Sequence, residues 1–175
     1  MRADLTKGFT LIELLVVITI IGMLASMMMV NFQDGQKMAR DAKRKQDLHY
    51  IAVGMEIYNQ AKGAYSIDRS GWGSATGPGC SCGWFNYEGG TYGRSIARAM
   101  VEEGLVDKII IDPTKGLYSS PSVGYTYMKY QCGNGFFVYA KLEKPSAADS
   151  ATCNANSCCD GLRTSYGMNY ALGHR

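Results

Sequence analysis

Histidine is scarce in this sequence. Only two are present, His49 and His174, and most of the chain separates them. Histidine is the side chain most often used to move protons near neutral pH. We expect His49 to be a surface residue of a helix and His174 to lie in a frayed C-terminal tail. The sequence therefore predicts a protein that is not an enzyme, with a Cys–His nucleophile pair as the alternative left open.

Charged residues are absent from Phe9 to Val30, apart from Glu13. As a helix this run is ~33 Å long, which is enough to cross the hydrocarbon layer of a membrane. A secretory signal peptide has its small residues after the apolar stretch, whereas here Gly8 comes before it. Cleavage at Gly8 removes only a short charged leader and keeps the apolar helix. A carboxylate inside such a helix is costly and usually has a functional partner.

Proline is absent before Pro78. The residues from Asn31 to about Lys62 are mostly good helix formers, and no proline interrupts them. If this segment continues the apolar run, one helix of ~80 Å extends from Phe9 to Lys62. One apolar stripe recurs at three- and four-residue spacing and predicts the buried face of that helix. Its members are Leu48, Ile51, Ala52, Met55 and Tyr58.

The leader that ends at Gly8 is followed by the sequence FTLIELLV, in which Glu13 is the fifth residue. Together they closely resemble a class III signal sequence, which marks type IV pilins and the pseudopilins of type II secretion. The resemblance implies a prepilin peptidase that cleaves between Gly8 and Phe9 and methylates the new amino terminus of Phe9. It also implies that Glu13 neutralises the Phe9 ammonium of a neighbouring subunit in a filament. An intramolecular pair of Phe9 with Glu13 and an ordinary signal anchor are the alternatives.

A basic cluster follows the apolar run and consists of Lys37, Arg40, Lys43, Arg44 and Lys45. Asp34, Asp41 and Asp47 alternate with it at spacings that allow ion pairs along a helix. We therefore expect a solvated or subunit-facing surface, with lipid headgroups as an alternative. Contact with nucleic acid is disfavoured. Val53 and Ile57 lie off the buried stripe, and in a filament this pair is a candidate for contact with the next subunit.

Glycine is dense between Gly71 and Gly93, where eight glycines occur. This density predicts an irregular surface loop that carries a variable recognition surface. The sequence GWGSATG lacks the spacing of a nucleotide-binding loop and follows no predicted strand, so we exclude that function. After the loop, Ser95 is placed to cap a short helix from Ile96 to Glu103 that ends at Gly104. The apolar run from Leu105 to Ile111 predicts a strand or an extended segment.

Two alternating runs rich in aromatic residues and valine, Val123 to Gln131 and Phe136 to Glu143, flank a Cys-Gly-Asn-Gly turn and predict a hairpin. A third strand is expected from Thr164 to Leu172. An antiparallel sheet of this kind packs one face on the helix stripe and leaves the other face in water. The expected fold class is α+β and pilin-like, with a long N-terminal helix packed on a small antiparallel sheet.

Six cysteines follow the helix and indicate an oxidising compartment. We expect disulfides among Cys80, Cys82, Cys132, Cys153, Cys158 and Cys159. Fifteen full pairings are possible and the sequence does not choose among them. Zinc is disfavoured because no C-x-x-C spacing occurs. We expect no cofactor, although calcium stays open because oxygen ligands are available from Asp149, Asn154, Asn156 and Asp160, which lack the spacing of an EF-hand loop.

The sequence predicts a leader at residues 1–8, a membrane or filament-core helix at 9–30, its amphipathic continuation at 31–65, and a disulfide-containing head at 66–175. The predicted function is that of a pilin, a structural subunit of a type IV pilus-like surface filament for adhesion, motility or DNA uptake. Expected partners are further copies of the chain, a prepilin peptidase, and the assembly platform and motor ATPase of a pilus machinery. The expected location is the inner membrane, followed by an extracellular filament. Alternatives are a pseudopilin of type II secretion and a membrane-tethered binding module that does not polymerise.

Overall fold

A computed structural model of the chain describes residues 8–65, 67, 83–86, 95–114, 127–132, 135–154 and 160–174. Its internal contacts divide the chain into two compact units, Met1–Met38 and Ala39–Arg175. We call the first the N-terminal unit and the second the globular unit. The N-terminal unit contains the start of one long helix. The globular unit contains the rest of that helix, a small antiparallel sheet and three short helices among its described residues.

Helix α1 spans Leu11–Lys62, which confirms that the apolar run and the polar segment after it form one element. The helix ends because Gly63 takes a φ of +72°, and its N–H donates to the Asn59 carbonyl oxygen at 2.7 Å. Glycine in this left-handed conformation is a common helix terminator. The predicted stripe faces the core of the globular unit, where Ala52 is partly buried and its other four members are buried.

The sheet contains four strands in the order β1-β2-β3-β4, and every neighbouring pair is antiparallel. The strands are β1 (Gly83–Trp84), β2 (Tyr127–Cys132), β3 (Gly135–Ala140) and β4 (Tyr170–His174). The predicted β2–β3 hairpin is present, with Cys132 opposite Gly135 and a turn that lies outside the described residues. Its second strand ends at Ala140 rather than at Glu143, and residues 123–126 of the first lie outside the described part. The fold class is therefore the expected one, α+β and pilin-like.

Three short helices accompany the sheet: α2 (Ile96–Glu102), α3 (Ala147–Asn154) and α4 (Asp160–Tyr166). The capping role predicted for Ser95 is confirmed, because its side chain accepts a hydrogen bond from the Arg98 N–H at 3.1 Å. Helices α3 and α4 were not expected from the sequence. Each is too short to show a clear apolar period.

Both faces of the sheet are covered, so the prediction that one face lies in water is wrong. One face packs on α1 and α2 through side chains such as Phe136 and Val138. The opposite face packs on α3 and α4, where Tyr139 contributes to a second buried cluster with Cys153 and Leu162. Alternate residues of β3 are apolar on both sides, and Phe137 and Tyr139 join the second core together with Met128 of β2.

Three further expectations need correction. The strand predicted from Thr164 to Leu172 is only partly right, because α4 continues to Tyr166 and ends at Gly167, whose φ is +69°. The segment from Leu105 to Ile111 is not a strand and consists of bends and irregular backbone. The glycine-dense segment is described only at residues 83–86, where β1 forms a short strand rather than a loop.

Candidate functional site

The start of α1 is held by a reciprocal pair of contacts between Thr10 and Glu13. The Glu13 carboxylate oxygen Oε2 accepts hydrogen bonds from the Thr10 N–H at 2.9 Å and from the Thr10 hydroxyl at 2.7 Å. The Glu13 N–H in turn donates to Thr10 Oγ1 at 3.3 Å. This is a capping box, which fixes the first turn and places a negative charge at the positive end of the helix dipole. Sequence reasoning missed Thr10, although the T-x-x-E spacing before an apolar run is its signal.

The two other residues predicted at this site, Gly8 and Phe9, precede the helix and are exposed. Phe9 is 87% exposed, and among the described residues Glu13 Oε1 accepts no hydrogen bond. No Phe9–Glu13 ion pair forms in the full-length chain, because the Phe9 nitrogen is a peptide amide. The arrangement thus provides a carboxylate with one occupied oxygen in the first turn of α1.

Glycine at position 8 has no steric reason within the fold. A Cβ built on Gly8 would meet no heavy atom within 4 Å, and its backbone does not need the left-handed conformation. A larger residue would therefore fit this position in the folded chain.

No described residue outside the helix covers the apolar part of α1. None of its most apolar window is buried, and the helix is long and apolar enough to cross a membrane by length and composition. Its two hydroxyl side chains, Thr19 and Ser26, donate to carbonyl oxygens of their own helix at 2.8 and 2.7 Å. Among the described polar side chains of this helical run, Glu13 is therefore the one that is available to contact another molecule.

The basic cluster is neutralised within the chain. Its cations pair with carboxylates as follows: Lys37 with Asp34, Arg40 with Glu143, Lys43 with Asp47, Arg44 with Asp41, Asp112 and Glu143, and Lys45 with Asp149. Arg44 is only 4% exposed, and Asp41 and Asp47 are buried as well. The expectation that these residues share a solvated helix face is therefore wrong for Asp41, Arg44 and Asp47. A cluster so neutralised has little charge left for nucleic acid.

Arg44 is the centre of a buried ion cluster that connects α1 to two segments that are distant in the sequence. Its Nη1 atom donates to Asp41 Oδ1 at 2.9 Å and to Glu143 Oε1 at 2.8 Å, and its Nε atom donates to Asp112 Oδ2 at 2.7 Å. Asp41 also accepts the backbone N–H groups of Glu143 and Lys144 at 2.9 and 2.7 Å. These contacts join the helix to the segment after β3 and to the segment around residue 112.

The cluster lowers the pKa of Glu143 and of Asp112. The hydrogen bond from Arg40 is the main cause that lowers the pKa of Glu143 to about 2, and Arg44 adds to it against the effect of burial. Burial alone would raise the pKa of Asp112, but the hydrogen bonds from Arg44 and Thr114 outweigh it, so that this pKa is lowered. Both carboxyl groups are therefore charged at neutral pH.

Cys153 is buried in the second core and is disulfide-bonded. Of the other predicted disulfide cysteines, Cys80, Cys82, Cys158 and Cys159 lie outside the described residues, and Cys132 is described by its backbone in β2. The full pairing therefore stays open. No described cysteine is free.

Of the four oxygen ligands considered for calcium, only Asp149 has a described side chain. Asp149 is occupied by Lys45 at 2.6 Å and by the N–H and hydroxyl groups of Ser146 at 2.9 and 2.8 Å, in the capping box of α3. Asn156 lies outside the described residues, as do the side chains of Asn154 and Asp160. Within the described part, no group of three or more His, Cys, Asp or Glu side chains could hold a metal ion.

The histidines lie apart. His49 is exposed on α1, which is its predicted position. His174 belongs to β4 and pairs with Phe136, so the prediction of a frayed tail at this residue is wrong.

An exposed apolar helix with one carboxylate in its first turn, attached to an α+β unit, is a pilin-like architecture. Residues 5–29 match the family described as the prokaryotic N-terminal methylation motif. This motif is the class III signal sequence characteristic of type IV pilins and pseudopilins, and the resemblance seen in the sequence is confirmed. It implies processing by a prepilin peptidase and a general link to pilus assembly machinery. No curated protein and no solved structure matches the chain.

Proposed function

We propose that this chain is a structural subunit of a type IV pilus-like surface filament. It is inserted into the inner membrane as a precursor, cleaved between Gly8 and Phe9, methylated at Phe9 and polymerised through α1. The observation that carries the proposal is the apolar run of α1, which none of the described residues buries and in which Glu13 is the single charge. A surface of this kind needs lipid around it before assembly and other copies of the same helix afterwards.

The exchange of lipid for neighbouring helices costs little, because lipid tails and apolar side chains are similar environments. Axial register must therefore come from polar groups. Cleavage creates an ammonium at Phe9, and this cation is unfavourable at the positive end of the helix dipole. The unoccupied oxygen of Glu13 is a suitable partner, either in the same chain or in a neighbouring copy displaced along the axis. An unpaired charge in this surrounding is costly, so the pair selects one register.

We expect that a peptidase recognises the leader and that the fold does not require it. Gly8 is exposed and a side chain would fit there, so the glycine is not needed for folding. We further propose that the chain is divided as its sequence predicts, with a leader at 1–8, a core helix at 9–30, its continuation at 31–65 and a head at 66–175.

A pseudopilin of a type II secretion system is the second candidate, because the same motif occurs in both classes. Cys153, which is disulfide-bonded in the second core, favours the surface filament. A fibre outside the cell must remain folded without repair, and disulfides stabilise small extracellular units.

The test is intact-mass analysis of filaments sheared from the cell surface, with wild-type chain and with Glu13→Ala. We expect wild-type filaments to contain this chain starting at Phe9 with one added methyl group. The Glu13→Ala chain should be inserted into the membrane at the wild-type level but be lost from the sheared fraction. Glu13→Asp is a matched control that keeps the charge and should retain partial assembly.

Other results would reject the proposal or redirect it. Wild-type yields of filament from Glu13→Ala would contradict the proposed register mechanism. A chain that is cleaved at Phe9 but stays in the envelope would favour the pseudopilin. A chain that still starts at Met1 would contradict both candidates and favour the tethered binding module. A chain that is cut after the apolar run would contradict all three, because it loses the helix that tethers it.

A further inference from the structure

The globular unit contains a groove between α1 and the segment from Leu105 to Ile111. Its volume is about 720 Å³. Tyr50 and Val53 line it from α1, and Ile109 and Ile111 line it from the other wall. The Arg44 cluster, the disulfide and the start of α1 do not involve this groove.

Three of the four large apolar side chains that the described part of the globular unit exposes line this groove, and the fourth, Ile57, lies one turn further along α1. Among its described residues they are Tyr50, Val53, Ile57 and Ile111, which are 53%, 44%, 51% and 42% exposed. The first three follow at spacings of three and four residues, so they lie on one face of α1. We call these four residues the Tyr50 patch. Scattered exposed apolar residues are ordinary, but a concentration of them marks an interaction surface.

The charges around the groove are balanced. Lys43 and Lys108 line it together with Asp47 and Asp107, so two bases offset two acids. Lys43 is in addition paired with Asp47. A nucleic acid or an anionic membrane binds to a surface with an excess of positive charge. Neither matches this groove, whereas a protein surface does.

The Tyr50 patch is too small to hold a partner alone. A stable independent complex buries ~800 Å² on each partner, and four side chains that are each about half exposed supply much less. Such a patch forms a lasting contact where another interaction already keeps the two molecules together, because the second contact is then made at high effective concentration.

We propose that the Tyr50 patch and its groove bind a second copy of this chain in the filament. This rests on the proposed function, since the polymerised apolar run supplies the interaction that keeps the copies together. The patch lies on the same helix, α1, as that run, so every copy that enters the filament brings a patch at the same position along α1. Burial of the patch removes apolar surface from water and adds a lateral contact between globular units.

The experiment uses the full chain with a photo-crosslinking amino acid in place of Val53. A matched control places it at Ala151, which is exposed on α3. Sheared filaments are irradiated and the products are identified by mass. We expect dimers of this chain from position 53 and none from position 151. The dimer should disappear when Glu13→Ala is added, because subunits then stay in the membrane.

A second pair of variants does not depend on crosslinking. Val53→Glu should reduce the sheared filament at least tenfold, while the amount of folded chain in the membrane stays at the wild-type level. Ala151→Glu adds the same charge elsewhere and should leave the filament yield unchanged. Equal yields from the two variants would overturn the proposed contact.

Failure of this proposal is distinguishable from failure of the proposed function. Filaments that assemble without a dimer from position 53, or with equal dimer from position 151, would overturn only the contact. A crosslink from position 53 to a different protein would also overturn it. If the wild-type chain forms no filament, the proposed function fails, and the contact fails with it.

Discussion

Arg44 and Asp112 make a two-point contact between helix α1 and a residue 68 positions later in the chain. The guanidinium Nε atom lies 2.7 Å from Asp112 Oδ2, and Nη2 lies 3.3 Å from Oδ1. Both side chains are almost completely buried. A planar guanidinium matches a carboxylate in this geometry, and lysine would not replace it.

Removal of one partner of this pair should destabilise the globular unit strongly. Arg44→Met leaves Asp112 and Asp41 as buried carboxylates without their cation, which typically costs about 3–5 kcal/mol. Thermal unfolding of the full chain in detergent measures the loss. Lys37→Met is the matched control, because its pair with Asp34 is exposed and should contribute less than about 1 kcal/mol. Equal unfolding midpoints for both variants would contradict the role given to Arg44.

The same cluster predicts acid sensitivity. The folded-state pKa of Glu143 is about 2, below its ordinary value of 4.5, so its ion pairs stabilise the folded state above about pH 4.5. That stability is lost as the pH falls from 4.5 towards 2, because protonation is then favoured in the unfolded chain. The free energy of unfolding should fall over this range, and Glu143→Gln should flatten the curve. An unchanged slope in Glu143→Gln would show that other carboxyl groups cause the acid sensitivity.

Lys129 predicts a second pH dependence of the stability, which arises from a buried amine rather than from ion-paired carboxylates. Its side chain is fully buried on β2 and donates to the Tyr65 carbonyl oxygen, and burial lowers its pKa from 10.5 to about 7. The charged amine is disfavoured in the folded state, so stability should decrease as the pH falls from about 10.5 to about 7 and level off below that. Lys129→Met removes this dependence.

The measurement for Lys129 is the difference between the unfolding free energies of the wild type and Lys129→Met. Each pKa unit corresponds to about 1.4 kcal/mol, so the difference should change by about that amount per pH unit between pH 10 and pH 8. The difference should be constant between pH 6 and pH 5. A flat difference for Lys129→Met would contradict a neutral buried amine.

Features that depend on neighbouring residues could be predicted from the sequence. Three such features are the apolar run, the position of Gly8 before it and the stripe that includes Leu48 and Met55. Each of them is visible within one short segment of the sequence. The hairpin was also predictable, because its strands and turn are contiguous. The resemblance to class III signal sequences was recognised from the segment that contains Gly8 and the apolar run, and the family match covers residues 5–29.

Features that depend on distant residues could not be predicted. The acids next to Arg44 in the sequence indicated a solvated helix, but its partners Asp112 and Glu143 come from segments far along the chain. The second core was missed for a related reason. Cys153 and Leu162 belong to helices of eight and seven residues, and such helices show too few turns for a period to be seen.

Gly8 gives a prediction that separates folding from recognition. Gly8→Ala places a methyl group where no atom lies within 4 Å, so helix content and membrane insertion should equal those of the wild type. Cleavage should nevertheless be impaired, because we expect a peptidase to accept only glycine before Phe9. Intact mass of the membrane fraction checks this, since uncleaved chain retains its eight leader residues.

Gly22→Ala is the control for that experiment. Position 22 also has open space around it, and alanine in the interior of a helix is about 1 kcal/mol more favourable than glycine. This variant should be cleaved normally and have an equally or more stable helix. If Gly8→Ala is cleaved as fast as Gly22→Ala, the peptidase does not require glycine at position 8. If Gly8→Ala fails to insert instead, the residue acts before cleavage, and its open surroundings in the folded chain do not explain its role.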